Sequence, residues 1–246
     1  MHDFPAGRFA AWATAWLTGR SSYDEALDAL LGDTAHRVVG LPGTTEAVPL
    51  GWALTALRGL GEHRFRLVLP VPGDVRGIPR VPGLTELALE AGQLAVGERL
   101  ALVPEPLGPE VVQWTAVVLD GAPPVPPPVE GRLRAVSGAL DLAVGDAART
   151  LAELDLARWH PEVPALLAGL ARPGRATGLP ADADPLALSL LARAQRLAKV
   201  LDLALTDAPG GAVNHRQAAA RDEALRPLSD AVREAVTAAF NGEPRS

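Results

Sequence analysis

The sequence predicts an α/β or α+β N-terminal portion with a small mixed sheet, followed by an all-α antiparallel helical bundle. Three observations support this fold class. Strand-like and helix-like segments alternate over residues 1–122, whereas from residue 131 onwards apolar residues recur at helical spacing. Between them lies a proline-rich stretch, "PPVPPPVE". We therefore expect a mixed α/β domain at 1–122, a linker at 123–130 and a helical bundle domain at 131–246.

The first element is an aromatic-rich segment. Phe9, Trp12 and Trp16 recur at helical spacing, and Ala13 and Leu17 extend the same face. Aromatic side chains bury about 150–250 Å² each, so such a face is strongly apolar. We expect it to pack against the protein's own core. The alternative is a surface for a protein partner or for a second copy of the chain.

A short helix and a crossover follow. Ser22 and Glu25 form a capping box at the start of the helix, and Gly32 can end it. The segments "HRVVGLP" and "RFRLVLP" have the composition of strands, and an amphipathic helix that starts at Pro49 lies between them. A strand, a helix and a strand in this order predict a parallel pair with a right-handed crossover.

The remaining N-terminal elements are a helix and two strands. The segment "GLTELALEAGQLAVG" fits both helical and strand periods, and we favour a helix. The segment "ERLALVPEPLGPEVVQWTAVVLD" predicts two strands joined by a proline-containing loop, the second running from Val111 to Leu119. We expect these two strands to pair antiparallel.

Three helical segments follow the linker. In the second, Asp184 is a capping residue, Pro185 takes the first position, and Pro209-Gly210 can end the helix. In the third, Pro227 predicts a kink or a break into two helices. The first carries an apolar stripe at three- and four-residue steps: Leu133, Val136, Leu140, Val144, Ala147, Leu151 and Leu154.

The linker has two interpretations. Five prolines between residues 120 and 131 favour an extended polyproline II conformation, which suits a spacer between two folded parts. The spacing of Pro123 and Pro126 also fits a PxxP ligand. We favour the spacer.

Composition limits the classes of function. The chain has no cysteine, which excludes disulfides, thiolate metal sites and cysteine nucleophiles. The net charge is −6 and neither half is basic, so we expect no nucleic-acid partner. The N-terminal segment has no basic leader, and Thr14 interrupts its apolar run. We therefore expect a cytoplasmic protein without a membrane partner.

The candidate ligand site is the loop at residues 70–83, which contains Asp74, Arg76 and Arg80 among glycines. An arginine fork can hold a carboxylate or phosphate, and ligands gather beyond the carboxyl ends of parallel strands. Asp74 would orient a hydroxyl group or act as a base. Against this, four prolines remove backbone donors, and the spacing matches no phosphate-binding motif. We favour a solvated surface connection over a site.

Other patterns indicate structure more than chemistry. Asp182 and Asp184 form a D-x-D pattern, but the capping role explains Asp184. The five histidines fall in separate segments, and no serine lies in a G-x-S-x-G elbow. We predict no catalytic residue, metal or cofactor, and a non-catalytic interaction or regulatory role. The alternative is an enzyme or sensor that binds a small anionic metabolite in the 70–83 loop.

Overall fold

The computed structural model describes residues 4–120, 131–153, 178–205 and 215–242. The predicted linker at 123–130, Leu154 of the apolar stripe and the Pro209-Gly210 helix end lie outside these ranges. Contacts between Cα atoms divide the chain into two compact units, one made of residues 3–128 and 178–182 and the other of residues 1–2, 129–177 and 183–246.

The first unit contains four helices and six strands among its described residues. In chain order they are α1 (Pro5–Leu17), α2 (Tyr23–Leu31), β1 (Ala35–Val39), β2 (Val48–Pro49), α3 (Leu50–Gly59), β3 (Arg66–Val68), α4 (Leu84–Ala91), β4 (Leu94–Val96), β5 (Leu100–Pro106) and β6 (Val111–Val118). The predicted α/β character with a mixed sheet is confirmed.

The strands form one sheet in the order β2-β1-β6-β5-β4-β3. The β5–β6 pair is antiparallel, as expected from the sequence. The predicted parallel pairing of β1 with β3 is wrong, because β1 pairs in parallel with β6 and β3 lies at the opposite edge. Three antiparallel steps separate β6 from β3, so β1 and β3 run in opposite directions. The long apolar strands β5 and β6 take the central positions, where both edges of a strand are paired.

Helices cover both faces of the sheet. On one face, Phe9 of α1 packs against Phe65 and Trp114, with ring centroids 5.2 Å apart in each pair. On the other face, α4 and the loop before it cover an apolar cluster of Val68, Leu84, Ala88, Leu94, Val96, Ala101, Val103 and Leu119. The segment "GLTELALEAGQLAVG", which fits both periods, contains both kinds of element. Its first part forms the predicted helix, α4, which is capped by Gly92, and its last part forms β4.

Three helices follow the sheet among the described residues: α5 (Arg132–Glu153), α6 (Pro185–Leu205) and α7 (His215–Phe240). Asp184 caps α6, because its carboxylate accepts a hydrogen bond of 2.6 Å from the Leu186 N–H. Helix α7 continues through Pro227, so the predicted break into two helices is wrong, and the alternative of a kink stays a prediction. Leu225 and Leu228 are buried on either side of this exposed proline, and their packing holds the helix together.

The described part of the α5 stripe faces the helical core. Val136, Leu140 and Ala147 are buried there. Ion pairs join the helices at their surface, between Arg132 of α5 and Glu234 of α7 and between Arg193 of α6 and Asp141 of α5. The helices after the sheet thus pack through apolar faces and are joined by exposed charges.

Candidate functional site

The 70–83 loop begins with a tight turn. Val71 and Asp74 exchange two backbone hydrogen bonds of 2.8 and 3.1 Å around Pro72-Gly73. Proline suits the second position of such a turn, and Gly73 adopts the positive φ of +89° that the third position requires. The sequence "VPGD", residues 71–74, therefore reverses the chain shortly after the end of β3 at Val68.

The predicted ligand residues contact one another in part. Asp74 accepts two hydrogen bonds from Arg76, of 2.8 Å from Nε and 2.9 Å from Nη2. The Arg76 side chain is 86% exposed, and Arg80 is also exposed. The structure thus pairs Asp74 with Arg76, and a ligand of Arg76 would compete with Asp74 for the same guanidinium edge.

Arg66, a residue that the sequence analysis did not select, lies beneath this loop. Its Nη2 donates a hydrogen bond of 2.8 Å to the Gly77 carbonyl. Its Nε is buried and has no acceptor among the described residues. Burial lowers the pKa of the Arg66 guanidinium. The alternation of strand residues carries a signal for this position, because it places Arg66 on the same face as Val68.

The aromatic face of α1 is divided between core and surface. Phe9 and Trp16 are buried in the core of their own unit, and Trp12 is partly exposed. The Arg58 guanidinium lies 3.9 Å from the Trp16 ring centroid and donates to the Trp16 carbonyl at 3.1 Å. Of the three aromatic residues of α1, Trp12 is therefore the one that a partner could contact.

Glu62 is a buried carboxylate that no sequence motif revealed. It is 1% exposed and accepts hydrogen bonds of 2.7–2.8 Å from the backbone N–H groups of Glu98, Arg99 and Leu100. Burial raises the pKa of the Glu62 carboxyl, while these donors act in the opposite direction. Glu62 therefore connects the segment after α3 to the β4–β5 turn.

His36 belongs to a hydrogen-bonded chain at the end of the sheet. The indole N–H of Trp114 donates to His36 Nδ1 at 3.0 Å, and His36 Nε2 lies 2.7 Å from Thr34 Oγ1. Since Nδ1 accepts from Trp114, Nε2 carries the proton of the neutral ring and donates to Thr34. Thr34 in turn donates to the Leu31 carbonyl at 3.1 Å. These bonds join α2, β1 and β6.

Trp52 on α3 is exposed to solvent over 53% of its surface. Among the described residues, the other exposed large hydrophobic side chains are aliphatic. Pro49, Thr55 and Gly59, the neighbours of Trp52, are exposed as well. The opposite side of α3 is buried through Ala53, Leu54 and Leu57. Trp52 therefore projects from a helix whose other side is fixed to the core.

The described ranges contain neither a cluster of metal-binding side chains nor a helix that could cross a membrane. No group of three or more histidine, aspartate and glutamate side chains there is arranged to hold a metal ion. Each helix in those ranges is too short or too polar to cross a bilayer. The first aspartate of the D-x-D pattern, Asp182, bonds to Arg20 at 2.6 Å. Both aspartates of that pattern thus have structural partners.

Comparison with known proteins assigns the chain to a family. It is 29% identical to the uncharacterized protein Rv1486c of Mycobacterium tuberculosis (strain ATCC 25618 / H37Rv) over 273 aligned residues, which cover 94% of each chain. It is 26% identical to the uncharacterized protein ML1804 of Mycobacterium leprae (strain TN), with 96% of each chain covered. No solved structure matches. Residues 6–130 match the N-terminal domain model of Rv1486c-like proteins and residues 134–237 the C-terminal one, so the chain belongs to the Rv1486c-like protein family.

Proposed function

We propose that this protein is a non-catalytic interaction or regulatory protein of the cytoplasm that binds a protein partner or a second copy of itself. The observation that carries the proposal is Trp52, an indole 53% exposed on a helix whose opposite side, through Ala53, Leu54 and Leu57, is packed on the core. Tryptophan is enriched among the residues that dominate binding energy at protein interfaces, because it offers a large and rigid contact area.

The titratable side chains of the interior support a structural use over catalysis. Glu62 is held by three backbone donors, and His36 lies between Trp114 and Thr34. A general acid or base has to exchange protons with a substrate, and these hydrogen bonds compete with that exchange. The same reasoning applies to Asp74, which accepts both bonds of the Arg76 fork.

The domain division belongs to the same proposal. We propose a proline spacer at 123–130 between a domain at 1–122 and an all-α antiparallel bundle at 131–246. The separate family models for residues 6–130 and 134–237 support two domains. The ion pair between Arg132, at the start of α5, and Glu234, near the end of α7, supports antiparallel packing of those helices.

The test compares the proteins that the wild type, Trp52→Ala and a matched control capture from native lysate. The control, Leu87→Ala, removes another exposed apolar side chain, which is 37% exposed. Proteins retained by the wild type and the control but lost with Trp52→Ala are then purified and titrated against the wild type. Sedimentation of each variant measures self-association. The proposal fails for this surface if Trp52→Ala retains every captured protein and the same oligomeric state.

A second candidate function is the binding of a small anionic metabolite at the 70–83 loop. It is favoured by two arginines, Arg76 and Arg80, that are exposed on one loop beside Asp74. A metabolite library is screened by thermal shift against the wild type and the Arg76→Ala/Arg80→Ala variant. This function requires a ligand that stabilises the wild type and not the variant, with similar melting of both in its absence.

A further inference from the structure

Arg66 is a partly buried side chain whose Nε is buried, and no ion pair joins it to an acidic side chain among the described residues. It lies on the edge strand β3, on the face that α4 and the 70–83 loop cover. Its cross-strand neighbour is Val96, which is 2% exposed and belongs to the apolar cluster. Of its N–H groups, one of Nη2 bonds to Gly77, and the buried Nε has no acceptor. A guanidinium has five N–H donors, so most of its bonding capacity is unused by the described residues.

Gly77 forms the cover of this guanidinium. A Cβ atom at residue 77 would lie 2.9 Å from Arg66 Nη1, and the φ of +90° is one that other residues rarely adopt. Glycine therefore lets the loop approach the arginine closely. The two residues before Gly77 are exposed: Val75 is 45% exposed, and the side chain of Arg76 is 86% exposed. The cover over Arg66 is thus adjacent to solvent.

The same loop shows which acceptor suits the unused edge. Arg76 holds the two oxygens of Asp74 through its Nε and Nη2, the edge at which Arg66 has one carbonyl oxygen and one unpaired donor. A carboxylate presents two oxygens at the spacing of this edge and supplies the missing negative charge. Displacement of the Gly77 carbonyl would make both donors of Arg66 available to it.

We propose that Arg66 anchors a binding site for a small carboxylate, which replaces the Gly77 carbonyl at Nη2 and accepts the unpaired Nε–H. The site goes beyond the proposed interaction function, and it does not depend on Trp52, Arg76 or Arg80. It therefore stands or falls separately from both candidate functions described above.

The experiment follows the arginine Nε–H resonances of the full-length protein by NMR during titration with acetate, against sodium chloride at equal ionic strength. The Arg66 resonance is the one absent from the spectrum of Arg66→Lys, or is assigned through the backbone if that variant does not fold. We expect a saturable shift of this resonance with acetate. Lysine keeps the charge but lacks the fork, so Arg66→Lys should weaken the Kd, measured on neighbouring amides, about tenfold or more.

Arg80→Lys is the matched control and should bind acetate as the wild type does. Inorganic phosphate tests the ligand class, and a shift with phosphate but not with acetate would overturn the carboxylate assignment. An Nε–H resonance that stays unchanged with every anion, and exchanges magnetisation with water, would show that a buried water occupies the edge. That result would overturn the site.

Discussion

At the scale of single residues, two polar side chains of the first unit, Glu62 and His36, bond to partners far away in sequence. Glu62 accepts hydrogen bonds from the turn between β4 and β5, which lies 36–38 residues further along the chain. His36 accepts from Trp114. Such groups contribute through their partners, because an unpaired buried donor or acceptor costs free energy. Arg66 Nε is the contrasting case among the described residues.

Glu62→Gln should destabilise the protein. The amide nitrogen that replaces one carboxyl oxygen cannot accept a hydrogen bond, so one of the three backbone donors loses its partner. The expected loss is about 1–3 kcal/mol in the free energy of unfolding, measured by denaturant titration. Glu46→Gln makes the same change at an exposed position and should leave the midpoint unaltered. Equal midpoints for both variants would show that the hydrogen bonds between Glu62 and the three backbone N–H groups do not contribute to stability.

Glu25 should make stability depend on acidity. Hydrogen bonds from the backbone N–H and the hydroxyl of Ser22 lower the pKa of the Glu25 carboxyl. A folded-state pKa below the unfolded value gives stability that is present above the unfolded pKa and is lost as pH falls through the folded pKa. Glu25→Gln does not titrate. The free energy of unfolding of the wild type minus that of this variant should therefore decrease on acidification, and a difference independent of pH would contradict the assignment.

At the scale of elements, local signals place the helix ends and tertiary contacts place the helices. The capping box of α2 forms with both of its reciprocal hydrogen bonds. By contrast, α1 is held by residues distant in sequence: the Ala6 N–H donates to the Gln93 side chain, and the Thr14 hydroxyl bonds to both the N–H and the carbonyl of Phe65. The threonine that interrupts the apolar run of α1 thus connects this helix to the segment before β3.

Ser22→Ala should destabilise α2 modestly. The Ser22 hydroxyl accepts from the Glu25 N–H at 3.2 Å, and its loss leaves a first-turn donor to water. Removal of such a cap costs about 1 kcal/mol. Denaturant melts measure the loss, with Ser21→Ala as the adjacent control. An effect of equal size for both variants would show that the α2 cap is not responsible.

Thr14→Val should loosen the attachment of α1. Valine has the same shape but cannot bond to Phe65, so the Phe65 N–H loses its 2.9 Å acceptor. We expect a loss of about 1–2 kcal/mol in unfolding free energy. Amide exchange at Phe65 should also become faster than in the wild type. The control is Thr18→Val, since Thr18 follows α1 directly and its hydroxyl bonds locally, to the Thr14 and Ala15 carbonyls and to Arg20 Nε. Unchanged exchange at Phe65 would contradict this role of Thr14.

At the scale of the whole molecule, the chain divides close to its proline-rich segment, with one exception among the residues that the structure describes. Residues 178–182 belong by their contacts to the first unit, where Asp182 bonds to Arg20. The division supports separate folding of the two parts, because few contacts cross a domain boundary.

Residues 131–246 should fold when expressed alone. The apolar faces of α5, α6 and α7 pack on one another, with Leu140, Leu191 and Val236 fully buried. We expect a helical far-UV circular dichroism spectrum and a cooperative thermal transition. The full-length protein and residues 1–130 serve as references. A disordered fragment would show that the helices require the sheet-containing part.

The sequence by itself determined the elements whose cause lies within a few residues. The α2 capping box, the Asp184 cap and the antiparallel β5–β6 pair depend on neighbouring residues, and all three are present. The mixed α/β character also follows from local periodicity, which records which side of an element is buried. For the candidate site, the sequence singled out the 70–83 loop but not Arg66.

Tertiary structure alone decided which strands became neighbours and which polar groups met. The parallel partner of β1 is β6, more than seventy positions away in the register Ala35 to Val111, and not β3. Strand order depends on how the whole set of apolar surfaces can be buried together, and no local pattern encodes that competition. For the same reason, the hydrogen bond of Arg66 to Gly77 and the burial of Glu62 against the β4–β5 turn become visible only when distant segments are packed.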